Sequence, residues 1–345
     1  MRMKIDLYSD TKTRPTPAMR DAIARAEVGD EQHMEDPTVL RLVERCAALL
    51  GHEDAIFLPS GTMANEIAVL VHCRAGDEII AHRDSHVLNF EGGAAAALAG
   101  VMVRPVDGDK GMFQPETLRR TIRPNARHLP RSRLVIVEQT TNLGGGTVWP
   151  LDLLDNVIAV TRERGLLAHM DGARLMNASV ASGIAADRLA GPFDSVFLDF
   201  TKGLGAPFGA VLAGSRTFIE AAWRWKQRLG GSMRQAGMMA QACLHALDHH
   251  IQRLEDDHAN ARLLAGEIAL IQGLSVEPVE TNMVFIDVGA TGLTAHEFNR
   301  RLAAHDVRVS IQGETRLRAV THLDVSSADI LAAAAAMATV AAGAR

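Results

Sequence analysis

The sequence changes from apolar to polar at a point that decides the fold: Leu166-Leu-Ala-His-Met-Asp171-Gly-Ala-Arg174. The apolar run shows little alternation, as in a strand that is buried on both faces. Similar short apolar runs predict strands at residues 55–58, 78–81, 101–103, 134–137 and 195–200. Helical patterns separate them, at residues 37–50, 62–73, 90–100, 115–121 and 151–165. This alternation predicts an α/β domain with a mainly parallel sheet.

The pattern changes in the last third of the chain. Residues 215–254 are free of proline and predict one long helical connection out of the sheet domain. Beyond it, helices are expected at 258–271, 295–305 and 327–342, with strands at 283–287, 307–310 and 319–322. We therefore predict an N-terminal segment (1–15), a large domain (16–250) and a smaller α+β C-terminal domain (251–345).

Composition limits the classes of function. The 345 residues are 47% apolar and carry a formal charge of −5, so a globular chain is expected and a disordered one is excluded. No basic stripe is present, which argues against nucleic acid or a membrane surface as a partner. The start lacks a secretory signal pattern, and the longest apolar run, residues 331–344, is shorter than the roughly 18–20 residues that span a bilayer. The three cysteines suggest neither disulfides nor a zinc site, so a cytoplasmic location is predicted.

The first candidate site follows the strand at 55–58, where the chain reads Leu58-Pro-Ser-Gly-Thr-Met-Ala-Asn65. A tight turn and a helix start present free backbone N–H groups and a favourable dipole to a phosphate, with Ser60, Gly61 and Thr62 at the turn. A simpler interpretation, in which Ser60 or Thr62 only caps the helix, remains open. No Gly-Lys-Ser/Thr follows, so this is not a nucleotide P-loop.

Two charged residues end neighbouring strands. Asp171 follows one apolar run, at the edge where open α/β sheets bind ligands. Lys202 follows the next run, 31 positions later (202 − 171), and its apolar and glycine-rich flanks favour a desolvated amine with a lowered pKa. A phosphate cradle, an aspartate for a pyridine nitrogen and an imine-forming lysine at one sheet edge are what pyridoxal 5'-phosphate requires.

Several longer motifs carry a family resemblance. They are Ser9-Asp-Thr-Lys-Thr-Arg-Pro-Thr-Pro-Ala-Met, Asp36-Pro-Thr-Val, Pro59-Ser-Gly-Thr-Met-Ala-Asn, Asp171-Gly-Ala-Arg-Leu, Thr201-Lys-Gly-Leu-Gly-Ala-Pro, Leu229-Gly-Gly-Ser-Met-Arg-Gln-Ala-Gly and Arg318-Ala-Val-Thr-His. With these motifs the chain resembles the L-threonine aldolases, which are pyridoxal-phosphate lyases of fold type I. The resemblance covers residues 9 to 322 and implies the same fold and a homodimer or homotetramer with shared active sites.

The resemblance also implies roles for single residues. Lys202 would bind the cofactor covalently, Asp171 would face its ring nitrogen, and His86 would stack on the ring. Gly61, Thr62 and an Arg234 from a neighbouring subunit would hold the phosphate. The residues implied for the substrate carboxylate are Ser9, Arg174 and Arg318.

The catalytic base remains open at this stage. His86 and His128 are candidates, since His128 matches a histidine near the substrate hydroxyl in relatives. His33 is a third, because this chain has Gly29-Asp-Glu-Gln-His33 where relatives usually carry a tyrosine, and Tyr8 is the single tyrosine. A metal pair of His82 and His86 is not favoured, because the segment between them reads as a loop, and no metal site is predicted.

The expected reaction is a retro-aldol cleavage of L-threonine, L-allo-threonine or a related β-hydroxy-α-amino acid to glycine and an aldehyde. The common motif Asn-Thr-His-Asn appears here as Gln139-Thr-Thr-Asn142, which leaves the preferred side chain open. Alternatives are a phenylserine-type aldolase, a β-eliminating lyase and a non-catalytic pyridoxal-phosphate-binding regulatory protein. An NAD enzyme is disfavoured, since no Gly-x-Gly-x-x-Gly turn joins a strand to a helix.

Overall fold

The computed structural model describes residues 4–343. The strands in this range are β1 (Ile5–Asp6), β2 (Asp54–Leu58), β3 (Asp77–His82), β4 (Met102–Val106), β5 (Arg131–Glu138), β6 (Leu167–Gly172), β7 (Ser195–Asp199), β8 (Ala210–Gly214), β9 (Ser275–Val276), β10 (Met283–Asp287), β11 (Val307–Arg308), β12 (Ser310–Ile311) and β13 (Arg316–Val320). The α-helices are α1 (Pro17–Ala24), α2 (Pro37–Leu50), α3 (Gly61–His72), α4 (His86–Asn89), α5 (Ala94–Ala99), α6 (Pro115–Thr121), α7 (Leu151–Glu163), α8 (Leu175–Ser182), α9 (Ala186–Ala190), α10 (Arg216–Arg228), α11 (Gly237–His249), α12 (Leu254–Ala269), α13 (Ala295–Ala303) and α14 (Ser327–Ala342).

The larger sheet has seven strands in the order β2-β8-β7-β6-β5-β3-β4. Strands β3 to β7 pair in parallel, whereas β8 is antiparallel to both of its neighbours, β2 and β7. The expected α/β fold with a mainly parallel sheet is therefore confirmed. Strand β8 was not predicted from the sequence, because its Ala-Val-Leu-Ala-Gly is short and follows the glycine-rich turn directly.

The parallel strands place their carboxyl ends at one edge of this sheet. Glu138 ends β5 and is the register partner of Asp171 near the end of β6. Asp199 ends β7, and Lys202 lies three positions beyond it. Three acidic residues and the lysine thus share the edge at which open α/β sheets bind ligands.

The smaller sheet has four strands in the order β12-β13-β10-β9. Its core includes residues of α12, α13 and α14, and also Ile5 and Leu7 of the N-terminal segment. Strand β1 pairs in parallel with β11, so the N-terminal segment packs against the C-terminal part of the chain. The bounds 1–15, 16–250 and 251–345 stay a prediction.

The prediction of one long helix over residues 215–254 is wrong. The chain forms α10 and α11 instead, with an interruption from Leu229 to Ala236. The sequence there contains two consecutive glycines, and Gly230 has φ +72°, a left-handed conformation that glycine adopts readily at a helix end. The predicted helix at 90–100 is likewise shorter, because Gly92 and Gly93 have positive φ and α5 begins only at Ala94. Among residues 4–343, none of the helices combines the length and apolar character needed to cross a bilayer.

Candidate active site

A cavity of about 220 Å³ opens at the carboxyl ends of β5, β6 and β7. Of the predicted site residues, those that line it are Ser60, Gly61, Thr62, His86, Asp171, Arg174 and Lys202. They come from the start of α3, the start of α4, the end of β6 and the turn after β7. The fold therefore brings together seven residues that lie up to 142 positions apart in the sequence.

Lys202 is held from two directions. Its amine forms an ion pair with the carboxylate of Asp199, which is 3% exposed. Its backbone carbonyl accepts a hydrogen bond from the Thr13 hydroxyl at 2.8 Å. The Asp199 carboxylate also accepts from the backbone N–H and the hydroxyl of Thr201, both at 2.8 Å. The buried Asp199 carboxylate thus keeps the Lys202 amine at the cavity, and this ion pair would be broken when the amine reacts with a carbonyl group.

The start of α3 forms the second wall. Ser60 is the N-cap, and its Oγ accepts a hydrogen bond from the backbone N–H of Met63 at 3.3 Å. Gly61 is required by packing, because a Cβ at this position would lie 2.8 Å from Cε2 of Phe197. The capping role and the phosphate role are compatible, since the remaining N–H groups of the first turn still face the cavity end of the helix.

Asp171 lies in a buried network of hydrogen bonds. Its carboxylate accepts from the amide nitrogen of Asn65 at 2.9 Å and from the backbone N–H of Ala173 at 3.1 Å. The same Asn65 nitrogen donates to Oε1 of Glu91 at 2.6 Å. Oε1 of Glu91 also contacts Nδ1 of His86 at 2.8 Å. His86 and Asp171 are therefore connected through one amide and one carboxylate.

These contacts change the pKa values of the site. Burial lowers the pKa of His86, but the Glu91 hydrogen bond and the charges of Asp171 and Glu138 outweigh it, so the pKa is raised above 6.5. Burial and the charge of Asp171 raise the pKa of Glu138 to about 7. The Glu138 carboxylate accepts from the backbone N–H groups of His86 and Asn142, both at 2.6 Å. It thus fixes the position of the histidine and of the loop that carries Asn142.

Two buried arginines lie beside the cavity, and they differ in their partners. Arg174 makes two hydrogen bonds of 2.7 Å to Asp10, and this ion pair holds the pKa of the fully buried Asp10 well below its usual range despite the opposing effect of burial. Arg318 donates from Nη1 to Oδ1 of Asn142 at 2.6 Å, while its buried Nε has no partner among the described residues. Burial and the charge of Arg174 lower the pKa of Arg318 to about 10. Arg318 is therefore a buried cation without a carboxylate partner in residues 4–343.

Five predicted residues do not line this cavity: Arg318, which contacts its wall through Asn142, and Ser9, His33, His128 and Arg234. Ser9 caps the turn Asp10–Lys12, which places Thr11 on the cavity wall and Asp10 on Arg174. His33 and Arg234 are exposed, and both contact the half-buried carboxylate of Asp30, at 3.3 and 3.0 Å. His128 is exposed in the turn before β5, at the opposite edge of the sheet from Lys202.

The donor set fits pyridoxal phosphate. A lysine amine, a buried carboxylate and the N-terminus of a helix line one cavity. Arg318 is hydrogen-bonded to Asn142 in the cavity wall, and its buried Nε has no partner among the described residues. His86, Glu91 and Asp171 also offer ligand atoms within 4.8 Å of one another. The absence of a metal stays a prediction, although the hydrogen bonds of Asn65 and His86 already use these carboxylates.

Several site residues were not identified from the sequence. They are Asp10, Thr11, Asn65, Glu91, Glu138, Asn142 and Asp199. Asp10, Thr11 and Asn65 lie within the motifs quoted for the resemblance, Glu91 precedes two glycines, and Asn142 ends an unusual Gln-Thr-Thr-Asn segment. A search for polar residues within two positions of each strand end would also have found Glu138 and Asp199.

Comparison with known proteins agrees with this site. The beta-eliminating lyase family matches residues 6–291. The chain is 40% identical to the probable low-specificity L-threonine aldolase 2 of Arabidopsis thaliana over 334 residues, covering 94% of each protein. It is also 40% identical to the low specificity L-threonine aldolase of Escherichia coli O157:H7 over 332 residues, covering 96% of this chain and 97% of the relative.

A solved structure shares the fold. The threonine aldolase of Leishmania major superposes with a TM-score of 0.83 at 20% sequence identity, covering 98% of this chain and 99% of that one. The predictions of fold type I, of a threonine-aldolase-like lyase and of pyridoxal phosphate as its cofactor are confirmed. The chain belongs to the beta-eliminating lyase family, among the relatives of the L-threonine aldolases.

Proposed function

We propose that this enzyme cleaves L-threonine, L-allo-threonine or a related β-hydroxy-α-amino acid to glycine and an aldehyde. One observation carries the proposal: Lys202, Asp171 and the start of α3 face the same cavity, and the unpaired cation Arg318 is bonded to its wall. Relatives with 40% identity over nearly the whole chain are named for threonine cleavage.

The cofactor site uses three parts of the chain. Bound pyridoxal phosphate supplies an electron sink for the electron pair that is released when the Cα–Cβ bond breaks. Lys202 would hold the cofactor through its aldehyde, and Asp199 keeps the lysine amine in place. Asp171 would face the ring nitrogen, and its carboxylate is held in place by hydrogen bonds from the Asn65 amide and the backbone N–H of Ala173. The N–H groups of α3 bind the phosphate.

Arg318 binds the substrate carboxylate in this proposal. Asp10 already pairs with Arg174, so Arg174 contributes by shaping the wall of the cavity, and Arg318 is the arginine that remains for a substrate carboxylate. A guanidinium and a carboxylate match in a bidentate geometry that fixes the orientation of the substrate. Asn142 and Glu138 set the position of Arg318 through the loop that follows β5.

His86 acts as the base for the β-hydroxyl proton. Its Nδ1–H donates to Glu91, which leaves Nε2 as the nitrogen that accepts the proton. Contact with a carboxylate raises the pKa of the ring toward the working pH, as a general base requires. In this pair the buried Glu91 carboxylate orients the His86 ring and stabilises the charged form of the ring.

His128, His33 and Arg234 do not line the cavity of their own chain. We propose that a second copy of the chain brings these residues to the site, so that the enzyme is a homodimer or homotetramer with shared active sites. We also propose that it acts in the cytoplasm. His128 remains an alternative base under this arrangement. An Arg234→Ala protein that stays oligomeric but loses affinity for the cofactor would support the role of Arg234 at a neighbouring phosphate, and a dissociated protein would make it an interface residue.

Product analysis with three substrates tests the function. L-threonine, L-allo-threonine and L-phenylserine are incubated separately with the holoenzyme, and glycine, aldehyde, ammonia and keto acid are quantified. Glycine and an equal amount of aldehyde support the proposal, and a strong preference for phenylserine selects the phenylserine-type aldolase. Ammonia and a keto acid would instead support β-elimination, which the family name keeps as a second candidate. A bound cofactor without any turnover would indicate a regulatory protein.

A further inference from the structure

Four buried polar side chains continue the network behind Asp171. Oδ1 of Asn65 lies 3.0 Å from Nε2 of His169, and Nδ1 of His169 lies 2.8 Å from Oγ of Ser195. The same Oγ lies 2.8 Å from Nε2 of His72. Asn65, His169 and Ser195 are at most 1% exposed, and His72 is 9% exposed. The proposed reaction uses none of the last three residues.

The fold explains why these residues meet. His169 precedes Asp171 by two positions in β6, so both side chains point to the same face of the sheet. Ser195 is the register partner of His169 in the neighbouring strand β7. Asn65 and His72 are seven positions apart in α3, which places them two turns apart on one face of the helix. The row is therefore formed where one face of α3 packs on the sheet.

Both histidines in the row are neutral. Burial lowers the pKa of His169 to about 3 and that of His72 to about 4. A neutral imidazole has one nitrogen that donates and one that accepts, so the partners of the ring determine which nitrogen carries the hydrogen.

The partners fix the direction of every hydrogen bond. The Asn65 atom between Glu91 and Asp171 must be the amide nitrogen, because both carboxylates only accept. Its oxygen then faces His169, so Nε2 of His169 carries the hydrogen and Nδ1 accepts from the Ser195 hydroxyl. The Ser195 oxygen in turn accepts from Nε2–H of His72. All hydrogens in the row point toward Asp171 and Glu91, and hydrogen bonds aligned in this way strengthen one another.

We infer that His169 is a positioning residue for the cofactor: backed by Ser195 and His72, it fixes the amide of Asn65 so that its nitrogen donates to the Asp171 carboxylate. The inference rests on the proposed function, in which Asp171 faces the ring nitrogen of the cofactor. Without His169 the amide of Asn65 loses the donor that specifies its orientation. Bound cofactor would then be less protonated at its ring nitrogen, and its ring would be a weaker electron sink.

The first measurement needs neither a variant nor the cofactor. Imidazole ¹⁵N–¹H correlation spectra of the cofactor-free protein assign the hydrogen-bearing nitrogen of each histidine between pH 6 and pH 8. The inference requires His169 to be neutral with its hydrogen on Nε2. A hydrogen on Nδ1, or a charged ring in this range, would overturn it whether or not the protein is an aldolase.

The second measurement uses variants of the holoenzyme. His169→Leu removes the donor, whereas His169→Gln keeps an N–H group that can reach Asn65. His258→Leu is the matched control, because His258 is also fully buried with a pKa lowered to about 4, and its partners Asn177 and Glu255 do not line the cavity. Ser195→Ala removes only a hydroxyl and serves if the leucine variant does not fold. Ring-¹⁵N-labelled pyridoxal phosphate reports the protonation of the ring nitrogen in each protein.

The expected pattern separates a positioning role from a purely structural one. In His169→Leu the ring ¹⁵N signal moves toward that of an unprotonated pyridine and kcat falls about tenfold, with KM changed less than about twofold. Ser195→Ala gives a smaller change in the same direction, His169→Gln recovers most of kcat, and His258→Leu retains the wild-type ¹⁵N signal. A folded His169→Leu protein with an unchanged ¹⁵N signal and kcat would overturn the inference. Failure of the wild-type protein to bind the labelled cofactor would instead reject the proposed function.

Discussion

Replacing Arg318 by methionine is expected to remove substrate binding and, at the same time, to stabilise the cofactor-free protein. Arg318 is 8% exposed and has no carboxylate partner among residues 4–343. Lowering its pKa from the ordinary value of an arginine to about 10 corresponds to about 3 kcal/mol of unfavourable free energy for the charged form, at about 1.4 kcal/mol per pH unit. Because both values lie above pH 9, the whole penalty is present at neutral pH.

Two smaller effects oppose this gain. The variant loses the hydrogen bond to Asn142, which is worth about 1 kcal/mol. Methionine adapts to irregular apolar space, so the cost of repacking is small. The free energy of unfolding of the cofactor-free protein should therefore rise by about 2 kcal/mol. The KM for L-threonine should rise at least about 30-fold, because a charged hydrogen-bonded pair contributes about 2–5 kcal/mol to binding.

Arg174→Met is the matched control, since it changes the same residue type at a neighbouring buried position. It leaves the fully buried Asp10 without its ion-pair partner, which costs about 3–5 kcal/mol. Urea unfolding at pH 7.5 measures both variants, and steady-state kinetics measures KM. Opposite signs of the two stability changes support the assignment. An Arg318→Met protein that is destabilised as much as Arg174→Met would refute the reasoning.

Three further predictions follow from the same contacts. Lys202→Ala should abolish turnover and the visible absorption of the bound cofactor, and urea unfolding should show lower stability because the buried Asp199 loses its ion-pair partner. Burial raises the pKa of Glu66 to about 7. Its contribution to the free energy of unfolding is therefore fully present below pH 4.5 and is lost as the pH rises through 7. Glu66→Gln should flatten the pH dependence of the free energy of unfolding and stabilise the protein at pH 8 by about 1–2 kcal/mol. In Glu91→Gln the amide oxygen can keep both hydrogen bonds, since both end on Oε1, but the charge that raises the pKa of His86 is lost. The acidic limb of the kcat/KM profile should then move to lower pH by about one unit, and an unmoved limb would exclude His86 as the base.

The parts of the site that are local in sequence could be predicted. Lys202 and Asp171 each follow an apolar run directly, and the start of α3 follows β2 through a single turn, so strand ends and small residues were sufficient signals. Ser60 was also predicted at the site, although the sequence alone did not decide whether it caps the helix or binds the phosphate. Asn65 was missed because an amide in the second turn of a helix usually indicates only a polar face.

The parts that depend on tertiary packing could not be predicted. The ion pair of Asp10 and Arg174 joins residues 164 positions apart, and it decides which of the two arginines is available for a substrate. The raised pKa of Glu138 depends on burial beside Asp171 in the next strand, which no local pattern reports. The break between α10 and α11 was visible as Gly230-Gly231, but the proline-free helical pattern on both sides outweighed it in the sequence analysis.

The central claim is that Lys202 binds the cofactor at the edge of the parallel sheet. Reduction of the holoprotein with borohydride, followed by proteolysis and mass spectrometry of the peptides, locates the attached cofactor directly. We expect a single modified peptide that contains Lys202, and no such peptide from a Lys202→Ala protein. Attachment to another lysine, such as Lys226, which is buried against Glu31 away from the cavity, would contradict the account.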